Sequence, residues 1–328
     1  VQTCALPILI SVNDEMISEF KHKGYLEPLE KNVMTEEVRD SFPQKYLESI
    51  CEENGHIYSV PFQMDIMMFW VNQELLKQAG LDEIKNTGDF DILQKSLKNP
   101  DQYAYGDAWE NTHVYNSLSQ FVNFWGGDYF DWTDPKTKDA ARYMKSMLDE
   151  KNTSPAQFVD QYEQMEEKFI RGKYGCVFMY TSALGTFLDA DVYGKNKIHM
   201  APLPVLHKKK ATNIATWQYV LNNASENKDA AVRFLQYAAG YEGSTEYAKI
   251  MKSYPARVDV IENEDIDLEG IDMIRKYLRE YTLNARPLCE NSMGAVSDMG
   301  KLFQGYVLGQ CEEDSFFEQA QNCINTYY

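Results

Sequence analysis

The sequence lacks the features that mark a membrane-spanning, metal-binding or disulfide-rich protein. It has no run of about 18 apolar residues, the length that a helix needs to cross a bilayer. Its six cysteines include no CxxC pair and no cysteine–histidine cluster with metal-ligand spacing. In a chain of 328 residues, scattered thiols of this kind pack more often as small apolar groups than as a disulfide framework. We therefore expect no metal site and no cofactor.

Catalytic signatures are missing as well. The chain contains no GxSxG, HExxH or P-loop motif and no recognisable cysteine–histidine nucleophile pattern. We expect no catalytic residue and no enzymatic activity. A glycoside hydrolase stays open as an alternative, because the two carboxyl groups that it needs, roughly 5–10 Å apart, leave no signature in a sequence.

Basic residues are few relative to acidic ones. The chain has 32 Lys and Arg against 50 Asp and Glu, which gives a net charge of −18. Such a field repels nucleic acid and anionic lipid headgroups, so we expect no nucleic-acid partner. For the same reason a neutral ligand is favoured over a strongly anionic one.

Aromatic residues, in contrast, are abundant. They make up 13% of the chain and include 22 Tyr. Tyr and Trp offer an apolar face and a polar tip together, which suits the wall of a sugar-binding site. Any single ring is nevertheless expected to belong to the core more often than to a site.

The order of predicted elements indicates an α/β protein that is rich in helices. Apolar runs predict strands at 9–12, 57–61, 64–71, 174–180, 198–202 and 215–221. Helical periodicity predicts helices at 16–22, 35–41, 109–125, 137–148, 161–171, 225–240 and 244–251. The alternation of the two favours α/β architecture, and the length favours two lobes.

The first residues do not read as a domain start. Residues 1–8 (VQTCALPI) carry no start Met, no helix cap and no clear period. They resemble translated sequencing-adapter sequence, so we expect residues 1–8, with Cys4, to be non-native. A lipobox at Cys4 is the competing interpretation, but no apolar segment precedes it.

Five segments carry a combined pattern, in the following order. They are 57–62 leading to 69–72 and 75–81; 169–179; 201–204; 225–231 with 234–235 and 255–257; and 308–321. Together they resemble the family 1 extracellular solute-binding proteins, a group of carbohydrate-binding subunits of bacterial ABC importers. The resemblance extends over residues 9–328, and about 60 residues that open the family pattern are absent.

The resemblance implies a periplasmic-binding-protein-like fold of the maltose-binding type (type II), with two α/β lobes joined by a hinge that the chain crosses several times. The N-terminal lobe would comprise 1–64 and about 218–262, without its first strand and helix. The C-terminal lobe would comprise about 67–213 and 263–328. The implied function is to bind a neutral carbohydrate in the cleft between the lobes and to deliver it to the permease subunits of the importer. A monomer outside the cytoplasm, lipid-anchored in the intact protein, is expected.

Five candidate ligand contacts belong to the first lobe or to the strands that leave it. Asn13, Asp14 and Glu15 follow a strand at its carboxyl end, where ligands of open α/β sheets bind. Asp65 is a lone carboxylate in an apolar strand, which is costly unless it is paired or faces water. Trp217 lies on a predicted strand where members of the family carry an aromatic residue. The alternatives are a helix cap for Asn13 or Asp14, a buried ion pair for Asp65 and a core ring for Trp217.

Four more candidates belong to the second lobe. Trp109 and Asn111 flank Glu110 ahead of a predicted helix, where a ring among polar residues could stack on a sugar. Tyr180 and Ser182 follow the apolar run 174–180. The sequence departs from the family here, because Ala183 occupies the position where an aromatic residue is expected. Trp109 packed beneath the helix, and Tyr180 as an ordinary loop residue, are the alternatives.

A non-sugar ligand on the same scaffold, such as a polyamine, a metal chelate or a peptide, is the main rival interpretation. The acidic balance slightly favours a cation, and a cage of rings could also hold one. A purely structural protein is disfavoured, because the chain shows no internal repeat.

Overall fold

The structure, a computed structural model, describes residues 7–328, so Cys4 lies outside the described residues. The strands of these residues are β1 (Leu9–Asn13), β2 (Glu52–Glu53), β3 (His56–Ile57), β4 (Ser59–Asn72), β5 (Tyr103–Gly106), β6 (Tyr174–Tyr180), β7 (Ile198–Ala201), β8 (Ala211–Leu221) and β9 (Thr282–Ala285). Their helices are α1 (Asp14–His22), α2 (Glu36–Arg39), α3 (Gln44–Tyr46), α4 (Gln73–Gln78), α5 (Thr87–Ser96), α6 (Val114–Trp125), α7 (Pro135–Asp149), α8 (Tyr162–Ile170), α9 (Ala183–Asp189), α10 (Lys228–Ala239), α11 (Tyr241–Met251), α12 (Val258–Glu262), α13 (Ile271–Glu280), α14 (Ser292–Val307) and α15 (Glu313–Tyr327).

Residues 59–61 and 64–71 of two predicted strands belong to one continuous strand, β4, whereas Ile57 lies in β3. Two backbone hydrogen bonds hold the part between them extended. Met64 N donates to Tyr254 O (3.0 Å), and Ala256 N donates to Phe62 O (3.1 Å). Both partners lie about 190 residues further along the chain, so the local sequence gave no sign that the strand continues.

The predicted helix at 109–125 begins five residues late, as α6 at Val114. The backbone of the preceding residues is bonded elsewhere, because Trp109 N donates to Gln157 O (2.9 Å) and Glu110 N donates to Asp160 O (3.1 Å). The helix ends where predicted, at Gly126, whose φ of 71° is the left-handed conformation that glycine adopts at a helix C-terminus.

The chain divides into two compact units. Among the described residues, unit 1 comprises 7–65, 214–275 and 288–292, and unit 2 comprises 66–213, 276–287 and 293–328. Residues 263–275 and 288–292 thus group with unit 1, although the sequence placed them with the second lobe. The strands β4 and β8 each contribute residues to both units, because the boundaries fall at Asp65–Ile66 and Asn213–Ile214.

In unit 1, β1 pairs antiparallel with β8, from Leu9 opposite Leu221 to Asn13 opposite Trp217. Helix α1 follows β1 directly and buries Lys21, whose Nζ donates to Ile50 O (2.9 Å) and Glu52 O (3.1 Å). Ile50 lies near the end of a π-helical turn, Leu47–Cys51, and Glu52 follows directly after it. Burial lowers the pKa of Lys21, although the two carbonyls still hold its ammonium group.

In unit 2, the apolar half of β4 lies between β6 and β7 and is antiparallel to both. The fourth strand, β5, runs parallel to β6 on its other side. Aromatic rings fill the core beneath this sheet, with the Phe69 and Phe178 ring centroids 4.9 Å apart and those of Phe121 and Phe178 6.1 Å apart. Within the described residues no helix has the length and apolar character to cross a membrane.

Arg257 organises the packing of unit 1. Its side chain is 9% exposed and donates to Ala239 O, to Ser41 Oγ and to both carboxylate oxygens of Asp259 at 2.6–3.0 Å. We predict that Arg257→Met lowers the free energy of unfolding by about 1.5–3 kcal/mol, since it removes charge-assisted hydrogen bonds from a buried position. Urea unfolding measures this effect. The exposed Arg233→Met is the control and should change stability by less than about 0.5 kcal/mol; equal effects of the two substitutions would contradict the prediction.

Candidate functional site

The pairing of β1 with β8 brings two of the predicted contact residues together. Asn13 lies directly opposite Trp217, so their side chains share one side of the strand pair. The Trp217 side chain is exposed, and the residue as a whole is 43% exposed. Asn13 Nδ2 donates to Glu15 Oε2 (3.1 Å), whereas its Oδ1 is buried and has no hydrogen-bond partner within the described residues. An exposed ring therefore lies beside a buried acceptor whose hydrogen-bonding capacity is unused within the described residues.

Asp14 occupies a different environment and corrects one prediction. It is fully buried, and its Oδ2 accepts from the Tyr46 hydroxyl (3.0 Å). That hydroxyl also meets Thr216 Oγ1 (2.8 Å) and accepts from Gln218 Nε2 (3.3 Å). The carboxylate thus anchors a polar network beneath β8 and presents no surface to a ligand.

Asp65 is the last residue of unit 1 on β4 and is 9% exposed. A carboxylate so nearly buried must be stabilised by hydrogen bonds or by a counter-charge. Its role as a ligand contact therefore remains a prediction.

Trp109 is not available for stacking, which corrects a second prediction. Its ring is wholly buried and meets the rings of Phe158 and Phe303 edge-on, at centroid distances of 5.6 and 5.4 Å. The backbone around it is fixed too, since Gln304 Nε2 donates to Trp109 O (2.6 Å). The alternative of a core ring describes this residue.

Asn111 is half-buried, and its amide is engaged within unit 2. Its Nδ2 donates to Ser297 Oγ (3.0 Å) on α14. The same helix approaches so closely that a Cβ at Gly300 would lie 2.0 Å from Asn111 O. Asn111 therefore joins the loop before α6 to α14, and a ligand contact by it stays a prediction.

A cavity in unit 2 contains the remaining two candidates. It has a volume of about 300 Å³ and lies among α8, β6 and α9; we call it the α8–α9 cavity. It is lined by Tyr162, Glu163, Glu166, Met179, Tyr180, Ser182, Ala183 and Thr186. Tyr180 and Ser182 were predicted, whereas Tyr162, Glu163 and Glu166 were missed, because the polar face of α8 looks like any solvated helix face.

The geometry of the cavity is set by tyrosine rings. The Tyr180 hydroxyl donates to Asn116 Oδ1 (2.9 Å), which fixes this ring against α6. The Tyr162 ring meets the Tyr180 ring edge-on at 5.9 Å and the His113 ring at 5.4 Å. The cavity thus combines flat apolar faces with hydroxyl and carboxylate oxygens.

Of the two acidic side chains that line the cavity, Glu166 is the more buried, and Glu163 is exposed. Burial raises the pKa of Glu166; a hydrogen bond from Thr186 opposes the shift, and the nearby charge of Glu163 adds to it. Glu166 is half-buried, and its Oε1 atom is buried without a hydrogen-bond partner in the described residues.

Two sets of hydrogen bonds join the cavity wall to β4 and β8 within unit 2. Thr181 N donates to Ile66 O (2.9 Å), and Ile66 N donates to Thr181 Oγ1 (3.2 Å). Asn116, which holds Tyr180, accepts at its backbone O from Asn213 Nδ2 (3.1 Å). Ile66 and Asn213 are the residues at which β4 enters unit 2 and β8 leaves it.

Acidic and sulfur-bearing side chains do not assemble into a metal site in the described part of the chain. No group of three or more His, Cys, Asp or Glu is placed to hold an ion among residues 7–328. The lone acceptors and rings described above are instead suited to hydrogen bonding and stacking.

The two tryptophans give a direct test of the assignments. We predict that Trp109→Ala lowers the free energy of unfolding by about 3–5 kcal/mol, because it empties a packed site between two rings. Trp217→Ala should change stability by less than about 0.5 kcal/mol, since its ring is exposed. Chemical denaturation of both variants measures the difference, and a larger loss for Trp217→Ala would reverse the two assignments.

Comparison with known proteins identifies the family. The family model for bacterial extracellular solute-binding proteins matches residues 8–245. A probable amino-acid ABC transporter periplasmic-binding protein of Sinorhizobium fredii is 24% identical over 69% of this chain and 54% of its own length. The arabinooligosaccharide-binding protein of Bacillus subtilis is 23% identical over 71% of this chain and 56% of its own length. The chain thus spans little more than half the length of these curated relatives.

Solved structures share the fold at low sequence identity, which confirms the predicted maltose-binding-like α/β class. A Thermotoga lettingae ABC transporter solute-binding protein, bound with alpha-D-tagatose, has a TM-score of 0.82 at 18% identity, covering 98% of this chain and 85% of its own. The maltose-bound MalE3 of T. maritima has a TM-score of 0.80 at 17% identity, covering 98% and 84%. Because the family model matches more than half of the chain and agrees with the resemblance found in the sequence, this chain belongs to the bacterial extracellular solute-binding protein family.

Proposed function

We propose that this chain is the solute-binding component of a bacterial ABC importer and that it binds a carbohydrate without altering it. The observation that carries the proposal is the Asn13–Trp217 pair, an exposed indole beside an unpartnered amide oxygen. A flat ring covers the apolar face of a sugar while neighbouring acceptors bind its hydroxyl groups. Within unit 2, the α8–α9 cavity is lined by two tyrosines and by the hydroxyl groups of Ser182 and Thr186, which are also groups that suit a sugar.

The relatives support this ligand class. The solved neighbours include proteins bound with tagatose, maltose, acarbose, mannitol and ribitol. One curated relative carries the name of an amino-acid transporter protein, which raises a second class. An amino acid brings a carboxylate that calls for a basic partner, and the lining of the α8–α9 cavity contains no Lys or Arg.

Membership of the family supports the wider biological role that we propose. The ligand-loaded protein would act outside the cytoplasm, as a monomer, and deliver its sugar to the permease subunits of the importer. A lipid anchor in the intact protein belongs to the same proposal. Absence of catalysis is tested by incubation with oligosaccharides, where unchanged substrates are expected and released products would identify a hydrolase.

A sugar panel tests the binding proposal. A sugar present at 100 times its Kd should raise the free energy of unfolding by about 2.7 kcal/mol. We predict that at least one mono- or oligosaccharide produces such a shift and that Trp217→Ala weakens its binding about tenfold in calorimetry, because a stacking face is lost. Tyr25→Ala, which removes a similarly exposed ring of unit 1, is the matched control and should bind as the parent does. Amino acids and peptides are added to the panel, and binding of these alone would overturn the proposal.

A further inference from the structure

The charged residues that line the α8–α9 cavity are all acidic. Two of its eight lining residues, Glu163 and Glu166, carry carboxylates, and none is Lys, Arg or His. The basic side chains of the same helix region are engaged away from the cavity, since Lys168 pairs with Asp160 and Arg171 with Glu167. The lining residues therefore bring negative charge to the cavity without a counter-charge of their own.

One carboxylate oxygen in the cavity lining, Glu166 Oε1, has no hydrogen-bond donor among the described residues. This atom is buried, while Thr186 provides a hydrogen bond to the carboxylate. A carboxylate oxygen removed from water without a donor is unfavourable, and a charged donor satisfies it best. The unsatisfied atom thus indicates that a bound molecule would supply a hydrogen-bond donor at this position.

The rest of the lining suits a small cation with hydroxyl neighbours. The faces of Tyr162 and Tyr180 attract positive charge through their ring quadrupoles. Ser182 and Thr186 contribute hydroxyl groups to the lining. A volume of about 300 Å³ holds about one sugar ring rather than an extended chain.

We propose that the α8–α9 cavity binds a protonated amino group and that the transported carbohydrate is an amino sugar, held through Glu166 with Glu163 beside it. This assignment rests on the proposed function, because it specifies which sugars the protein takes. It replaces the expected neutral sugar with one that bears an ammonium group. A polyamine carries the same ammonium chemistry without the hydroxyl groups.

Calorimetry with matched ligands tests the assignment. The panel contains β-1,4-linked glucosamine, N-acetylglucosamine and glucose oligomers of equal length, and spermidine. The glucosamine oligomer is expected to bind at least about tenfold more tightly than its acetylated and neutral counterparts, because only it carries a cation. Glu166→Gln should abolish this preference. Glu318→Gln, the same chemical change on an exposed residue of α15, should retain it.

Acidification provides an independent readout. The ionisable groups that line the cavity around Glu166 are Glu163 and Tyr162 on its own helix and Tyr180 on β6, while α9 contributes only uncharged groups. Burial raises the pKa of Glu166, so its carboxylate becomes protonated at a higher pH than an ordinary glutamate. At pH values where the ligand amine is fully protonated, affinity for the ammonium ligand should therefore fall as the pH is lowered, and Glu166→Gln should flatten this pH dependence. A neutral sugar that accepts a hydrogen bond from protonated Glu166 would show the opposite trend.

The outcomes separate the inference from the proposed function. Equal affinity for the three oligomers, with no effect of Glu166→Gln, would overturn the amino-sugar assignment and leave carbohydrate binding intact. If spermidine alone binds, and Glu166→Gln abolishes its binding, both carbohydrate binding and the amino-sugar assignment are overturned. The cavity would then be a site for ammonium groups. Absence of binding to every ligand of the panel would overturn the assignment.

Discussion

The hydrogen bonds that fix Thr181 and Asn116 are the interactions on which the candidate site depends. Thr181 exchanges two bonds with Ile66 of β4, and Asn116 joins the Tyr180 hydroxyl to Asn213 of β8. The wall of the α8–α9 cavity is therefore connected to the same two strands that carry the chain between the units. A change in the position of Tyr180 would affect Asn213 because Asn116 accepts from both, at its side-chain Oδ1 from the Tyr180 hydroxyl and at its backbone O from Asn213 Nδ2.

Charge gives the molecule its second constraint. The chain as a whole is strongly acidic, yet several of its carboxylates have a specific basic partner, such as Asp259 with Arg257 or Asp160 with Lys168. Glu166 differs, because one of its oxygens is buried without a donor. Unsatisfied groups of this kind are uncommon in folded proteins, and a bound water, ion or ligand is one explanation of them. The local imbalance, more than the overall charge, therefore informs the ligand assignment.

Local pattern was sufficient for the elements whose signals lie within a few residues. The apolar run ending at Tyr180 was placed correctly as β6, and the helix that stops at Gly126 was placed correctly at its end. The family resemblance supplied the fold class. The burial of individual side chains could not be predicted from local sequence, because it is determined by residues that lie far along the chain. Trp109 is enclosed by Phe303, and Asp14 is held by Tyr46, so both were wrongly expected to contact a ligand.

The same reason explains what was missed. Asn13 and Trp217 were proposed separately, and only the pairing of β1 with β8 brings them side by side. Glu166 carries no motif, since an acid on the polar face of an amphipathic helix is most often solvated. Its distinction comes from the contacts that β6 and α9 make around it.

Hydrogen exchange with and without a saturating sugar tests whether the ligand binds at the wall of the α8–α9 cavity that is bonded to β4 and β8. We predict slower exchange at the amides of Thr181 and Asn213 in the bound protein, since their hydrogen bonds to Ile66 O and Gln120 Oε1 would open less often. A sugar that binds tightly while the exchange of both amides stays unchanged would contradict it.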